Sequence, residues 1–354
     1  MSKKIKIGII GCGGISGVHL NGYSKNPNVE IYALCDINEE VMKKRAKEYN
    51  VTHLYTDARE MVKLKELDAV SVCTWNSAHA PCTITALEAG KHVLCEKPMA
   101  MNAKEASDMQ TAAEKAGKLL MIGFVRRYGN DCELVKDFAD NGYFGDIYYA
   151  KTTYLRRNGS PGGWFGDKSR SGGGPLIDLG VHVIDLARYL MGNPKPVSVY
   201  GFTFNKLGDR RGLKKVAAEG YLAVDSAKEI FDVEDLATAL IRFENGAALS
   251  VEASFSLNIG EPVGNIELFG TKAGCKLDPN VTIYNETNGY MTNLSFPQKT
   301  ALDFEGLFEN EIDHFVDCVI NGTPCKSPAN DGVMLMKILD GIYLSAQTGH
   351  EVIL

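Results

Sequence analysis

Five short apolar runs, at residues 5–10, 30–35, 69–73, 92–95 and 119–123, alternate with stretches rich in Ala, Glu and Lys at 41–49, 81–88 and 103–116. Runs this short and this continuously apolar are the pattern of strands buried on both faces, and the stretches between them have helical composition. A strand–helix alternation repeated this often leaves few alternatives to a doubly wound parallel sheet with helices on both faces.

Beyond residue 124 the texture changes. A helix is predicted over 131–141, ended by Gly142, and a strand over 147–155. A Gly-rich stretch then leads into one strongly apolar helix near 175–191. From 197 to about 294 the chain reads as successive strands with Gly and Asn turns, including 236–243, 247–255 and 265–269; consecutive strands suggest antiparallel pairing. Two helices, the first over 307–319, close the chain. At 354 residues two cores are affordable, and the expected division is 1–124 and 125–354.

The first strand runs directly into Gly11-Cys12-Gly13-Gly14-Ile15-Ser16, which opens a helix. Gly11 and Gly13 occupy the first two glycine positions of a dinucleotide-binding turn, where the backbone must bend sharply and come close to a pyrophosphate at a helix N-terminus. Ser16 stands at the third position and is small enough for helix–strand packing. Asp36, at the end of the second strand, is at the distance where a carboxylate accepts the ribose hydroxyls of an adenosine. It would repel a 2′-phosphate, so NAD is expected in preference to NADP. Gly11, Cys12, Gly13, Gly14, Ile15, Asp36 and Ile37 are the candidate cofactor contacts.

Two further blocks carry candidate chemistry. In Glu96-Lys97-Pro98, Lys97 lies just past the carboxyl end of a predicted strand, the edge of a doubly wound sheet where ligands sit. In the block from Gly172 to Asp185, Pro175 suits a first helical position and nearly every other residue is apolar, yet Asp178, His182 and Asp185 share one helical face. A polar stripe on a buried helix must be paired or must line a cavity. A histidine between carboxylates is a candidate proton acceptor near neutral pH. No second His/Cys cluster at ligand spacing accompanies the stripe, so no metal is expected.

Composition narrows the partners. A net charge of −6 leaves no basic footprint for nucleic acid. No apolar run is long enough to cross a bilayer, and the charged lead Met-Ser-Lys-Lys-Ile-Lys lacks the apolar core of a signal peptide. The nine cysteines include no Cys-x-x-Cys pair, and Cys35, Cys73 and Cys95 sit inside strand-like runs. Reduced thiols in a cytoplasmic protein are expected.

Taken in order, the Gly11–Ser16 turn, Asp36, Thr74-Trp75-Asn76 with His79, the block from Gly90 to Pro98, the block from Gly172 to Asp185 and the tail from Glu309 to Leu354 resemble the glucose–fructose oxidoreductase, inositol dehydrogenase and rhizopine-catabolism (Gfo/Idh/MocA) family over nearly the whole chain. The resemblance implies an α/β protein: an N-terminal Rossmann domain, then an α+β domain with an open, mostly antiparallel sheet that often joins copies into homodimers or homotetramers. It implies Lys97, Asp178 and His182 as the catalytic set. His182 would take the hydroxyl proton, Lys97 would hold the hydroxyl oxygen, and Asp178 would orient its neighbours. Thr74, Asn76, His79, Glu96 and Lys97 would lie along the cofactor. Trp75 departs from the proline many relatives carry.

The expected substrate is a secondary ring hydroxyl of a sugar, glycoside or inositol, with a 3-keto sugar among the products. Arg156 and Trp164, just ahead of the candidate helix, suit a sugar ring that offers an apolar face and several hydroxyls. The same residues would also be accounted for by Trp164 packed under a loop and Arg156 and Arg157 in solvent. Two alternatives share the nucleotide site: an enzyme with tightly held NAD that oxidises transiently to epimerise a sugar or cleave a glycoside, and a non-catalytic NAD-binding sensor.

Overall fold

The computed structural model describes residues 4–208, 210, 213 and 230–354. The first three residues of the charged lead and part of the 197–294 stretch lie outside them. The described chain divides into two compact units, one of residues 1–125 with 305–336 and one of 126–304 with 337–354. Residues 305–336 thus cluster with the first unit.

The first unit holds six parallel strands among the described residues: β1 (Ile5–Ile10), β2 (Val29–Cys35), β3 (His53–Tyr55), β4 (Ala69–Val72), β5 (His92–Glu96) and β6 (Leu120–Gly123), in the order β3-β2-β1-β4-β5-β6. Ile7, Ile9, Leu34, Val70, Val72, Val93 and Leu94 are fully buried, each contributing about 1.5–3 kcal/mol of transfer free energy. β3 escaped the sequence reading because its three residues form no apolar run. The helices α1 (Gly14–Lys25), α2 (Glu39–Tyr49), α3 (Ala58–Met61), α4 (Asn76–Glu88) and α5 (Ala103–Ala116) fill the crossovers. Local chemistry sets their ends. Asn38 caps α2 by accepting from the Glu40 and Val41 amides, and Asn102 caps α5 through the Glu105 amide.

The strand order reverses between β1 and β4, which places a crevice at the carboxyl ends of those two strands. That is where the Gly11 turn and Thr74-Trp75-Asn76 emerge.

The second unit is built on a nine-stranded sheet among the described residues: β7 (Ile147–Leu155), β8 (Pro196–Phe204), β9 (Leu236–Phe243), β10 (Ala248–Ser254), β11 (Val263–Gly270), β12 (Ala273–Lys276), β13 (Thr282–Thr287), β14 (Tyr290–Ser295) and β15 (Val352–Ile353). Its order is β14-β13-β12-β11-β7-β10-β9-β8-β15, antiparallel except for the β7–β10 pair. With it go α6 (Asn130–Asp140), α7 (Lys168–Ser171) and α8 (Val181–Leu190). One face is covered where α8 and the turn before it pack on β7 and β10. On the other face the described residues leave side chains exposed. The register lines up Tyr200, Leu240 and Ser250 there, and beside them Phe269 stacks on Tyr149 across the strands. Tyr200, Phe202 and Leu240 are 40–47% exposed on that face.

Two long helices come before β15, α9 (Phe304–Asn321) and α10 (Ala329–Thr348). In the first unit α9 lies against α1: Asn26 donates to Asp313 at 2.7 Å, and Gly22 leaves only 3.0 Å between a would-be Cβ and Ile312. No described helix is long and apolar enough to cross a membrane.

Candidate active site

The nucleotide turn is shaped by Gly11, whose φ of +91° is open to glycine alone and whose Cβ would fall 2.6 Å from the Cys73 carbonyl oxygen. Gly13 differs: a Cβ there would meet nothing within 4 Å, so the backbone presents an unobstructed surface. It ends in the N-terminus of α1, which has no side-chain cap, leaving its first amides free to meet an anion. Ser16 is fully buried and turns its hydroxyl to the Gly13 carbonyl at 2.7 Å, which is how a serine fits where a third glycine was expected. Burial and the Asp36 charge push the Cys12 thiol up to about 12, so it adds no negative charge to this turn.

Asp36 stands at the end of β2 and binds the turn itself, accepting from the Cys12 amide at 2.6 Å and the Asn38 amide at 2.7 Å. Its carboxylate is half-exposed, and beside it Ile37 is 74% exposed. An acidic edge next to an unsupported apolar side chain offers a ribose its acceptors and an adenine its apolar platform. The groups present fit an NAD molecule.

At the ends of β4 and β5 a second set converges. His79 is 1% exposed, with Nδ1 2.7 Å from the Pro98 carbonyl oxygen and Nε2 3.1 Å from that of Thr74. It therefore ties the Thr74 turn to the Lys97-Pro98 turn, and burial pushes its pKa down. Glu96 is 5% exposed; Oε1 accepts from His19 Nε2 at 2.8 Å and Oε2 from the Lys97 amide at 3.1 Å. Burial would raise its carboxyl, but the His19 hydrogen bond and charge, with Lys97, hold it below the usual carboxylate range. Asn76 is buried at the start of α4, whereas Thr74 and Lys97 keep partial exposure. His79 and Glu96 thus support the loop that presents Lys97.

In the second unit the predicted helix over 175–191 is two elements. A π-turn, Leu176–Gly180, precedes α8. Such a wide turn displaces side chains from α-helical phase and is frequent at functional sites. Asp178 and His182 remain half-buried, whereas Leu179 and Gly180 pack toward Ala253 on β10. Asp185 does not extend the polar stripe. It is 3% exposed and paired with Arg127, Nη2 to Oδ1 at 2.6 Å.

The entry to this turn is held by Glu234, which sequence reading missed. Its carboxylate accepts from the Gly174 amide at 2.9 Å, the Leu176 amide at 3.1 Å and the Tyr343 hydroxyl at 2.9 Å. Burial pushes its pKa up against those three donors. The approach is close enough that a Cβ on Gly173 would lie 2.0 Å from Tyr343 Oη, and one on Gly174 2.1 Å from the Glu234 carbonyl oxygen. The glycines thus serve packing. One acid beside Asp232 and Asp235 ahead of a strand carries no signal that could have foretold this partner.

Arg156 folds back on its own loop, donating to the Gly159 carbonyl at 2.8 Å and to the Tyr154 hydroxyl at 3.3 Å. Trp164 stacks on Phe165, with ring centroids 4.0 Å apart, and stays half-exposed.

Residues 5–124 match the oxidoreductase family with an NAD-binding Rossmann fold, and residues 136–354 match the C-terminal alpha/beta domain of the same family. The chain is 34% identical to the D-glucoside 3-dehydrogenase of Escherichia coli, covering 99% of this chain and 98% of that protein. It is 27% identical to the myo-inositol 2-dehydrogenase of Thermotoga maritima, covering 94% and 93%. Among solved structures, an oxidoreductase domain protein from Kribbella flavida matches with a TM-score of 0.86 at 25% identity, covering 99% of each chain. The chain belongs to the Gfo/Idh/MocA oxidoreductase family and carries that family's NAD-binding Rossmann domain.

Proposed function

We propose that this oxidoreductase oxidises a secondary ring hydroxyl of a sugar, glycoside or inositol, with a glycoside oxidised at C3 as the leading substrate. The single observation that carries a catalytic reading is the pair Asp178 and His182, both partly exposed on a mostly buried helical segment whose entry Glu234 fixes. Partly exposed polar groups on such a rigid base are what positioned proton transfer needs. The glucoside preference rests on the full-length similarity to the D-glucoside 3-dehydrogenase.

NAD, when bound, supplies the hydride acceptor. It would be held by the Gly11–Ile15 turn and Asp36, with Ile37 under the adenine and Thr74 and Asn76 along the crevice. His182 takes the hydroxyl proton, Asp178 orients His182, and the Lys97 ammonium holds the hydroxyl oxygen and favours its alkoxide-like form. Trp164 offers a ring face and Arg156 shapes the loop beside it. The row of exposed Tyr200, Phe202 and Leu240 supports association of two copies through the open sheet face. Nine free cysteines suit a reducing compartment, the cytoplasm.

Purified protein with NAD, screened against hexoses, hexosides and inositols by absorbance of the reduced cofactor, tests the assignment. Expected is NADH released in proportion to a keto product, with at least one glucoside among the best substrates. Net epimerisation without NADH release would instead support transient oxidation. Tight NAD binding without turnover on any ring would support a sensor.

A further inference from the structure

Apart from the nucleotide and proton-transfer groups, α9 and the turn after it carry His314, Cys318 and Cys325, all within residues 305–336 of the first unit. His314 and Cys318 are one helical turn apart and share a face. The turn brings Cys325 back to them: Asn321 donates to Asp317 Oδ1 at 2.6 Å and Thr323 donates to Asp317 Oδ2, folding the chain after α9 onto its own last turn. The Lys326 amide then donates to His314 Nε2 at 3.0 Å.

We propose that His314, Cys318 and Cys325 form a binding site for a thiophilic divalent cation of the zinc type. The donor set is one imidazole and two thiols, the soft ligands zinc selects. The three ligand atoms lie within 4.8 Å of one another. Cys318 Sγ is 3.4 Å from His314 Nε2, close to the roughly 3.5 Å that separates nitrogen and sulfur ligands on a tetrahedral zinc. Cys318 is nearly buried, whereas His314 and Cys325 reach solvent, so the ion has an entry path and water completes the fourth position. On binding, the two thiols release their protons to solvent, and His314 Nε2 exchanges the Lys326 amide for the metal. The ion would clamp the end of α9 to the following turn, a stabilising role separate from the redox chemistry.

The test uses the full-length protein, fully reduced and stripped with a chelator. Cadmium is titrated in while the ultraviolet thiolate-to-metal charge-transfer band is followed, and zinc is then added in competition. Expected is one equivalent bound, displaced by zinc. Cys318→Ser and Cys325→Ser should each lose about half of the band at saturation and weaken binding at least roughly tenfold, and His314→Gln should weaken binding with both thiolates still reporting. Cys82→Ser, at another half-buried cysteine, should change nothing. Because Cys325 is half-exposed, Cys325→Ser keeps the experiment decisive if the helical variants fold poorly; circular dichroism checks this. Absence of the band in the reduced protein, or a band unchanged in Cys325→Ser, overturns the proposal.

Discussion

Asp185 and Arg127 are joined by two parallel hydrogen bonds, Nε to Oδ2 at 2.9 Å and Nη2 to Oδ1 at 2.6 Å, with both side chains buried. The guanidinium also lies 4.6 Å from the centre of the Tyr189 ring. The pair locks α8 to the segment before α6. Removing one partner strands the other charge in the core, at about 3–5 kcal/mol, whereas replacing both with apolar residues of similar volume is far milder. Asp185→Ala is therefore expected to lower the thermal midpoint strongly, and Arg127→Met with Asp185→Leu to recover most of the loss. A double variant no more stable than the single one would show that packing, and not the buried charge, sets the cost.

That pair also marks what a sequence can and cannot disclose. The strands of the Rossmann domain and the Gly11 turn were legible because local rules dictate them: buried strands are apolar, and a bend at φ +91° needs glycine. The place of Asp36 beside that turn was legible because it ends the second strand, and its carboxylate accepts from the Cys12 amide. Asp185 was misread because the helical face it shares with His182 on α8 says nothing of what that face meets. Its partner Arg127 is 58 positions away. Glu234 and Tyr343 were invisible for the same reason, since Glu234, just ahead of a distant strand, accepts from the amides of Gly174 and Leu176, and Tyr343 donates to Glu234 from a distant helix. The triple glycine was conspicuous, but Tyr343 and Glu234 are what hold Gly173 and Gly174 small, while Gly172 carries a φ of +83° at the end of α7.

Lys97 and His182 are expected to act in the chemical step. Lys97→Ala and His182→Ala should each lower kcat by roughly a hundredfold or more, the scale of losing a positioned charge or proton acceptor. His182→Ala should leave NAD affinity nearly unchanged, because the nucleotide groups all belong to the first unit. Steady-state rates and a cofactor titration by fluorescence separate the two effects. Near-wild-type turnover in His182→Ala would remove it from the mechanism.

Cofactor choice is expected to turn on Asp36. Its half-exposed carboxylate can accept charge-assisted hydrogen bonds from a ribose and would meet a 2′-phosphate as a like charge. Asp36→Ser removes both effects, so the ratio of kcat/KM for NAD over NADP should fall. The same carboxylate accepts from the Cys12 amide, so some loss of affinity for both cofactors is expected as well. A wild-type enzyme that prefers NADP would contradict this reading of the β2 terminus.

Glu311 gives a pH dependence whose sign can be worked out. It is fully buried on α9, and neither carboxyl oxygen has a hydrogen-bond partner among the described residues. Its titratable neighbours include His19 and Glu96, with ligand atoms all within 4.8 Å. Burial, followed by the Glu96 charge, pushes its pKa well above the ordinary 4.5. The folded protein therefore holds a proton that the unfolded chain has already released. Protons bound in excess by the folded state make stability fall as pH rises. The contribution is whole below 4.5 and is lost progressively as pH climbs toward the raised folded-state value, at up to about 1.4 kcal/mol per pH unit. Glu311→Gln mimics the protonated acid in shape and cannot ionise. Thermal midpoints of the two proteins should run together in acid and separate as pH rises, with Glu311→Gln the more stable on the alkaline side. Parallel curves across that range would mean that Glu311 ionises as readily in the folded protein as in the unfolded chain.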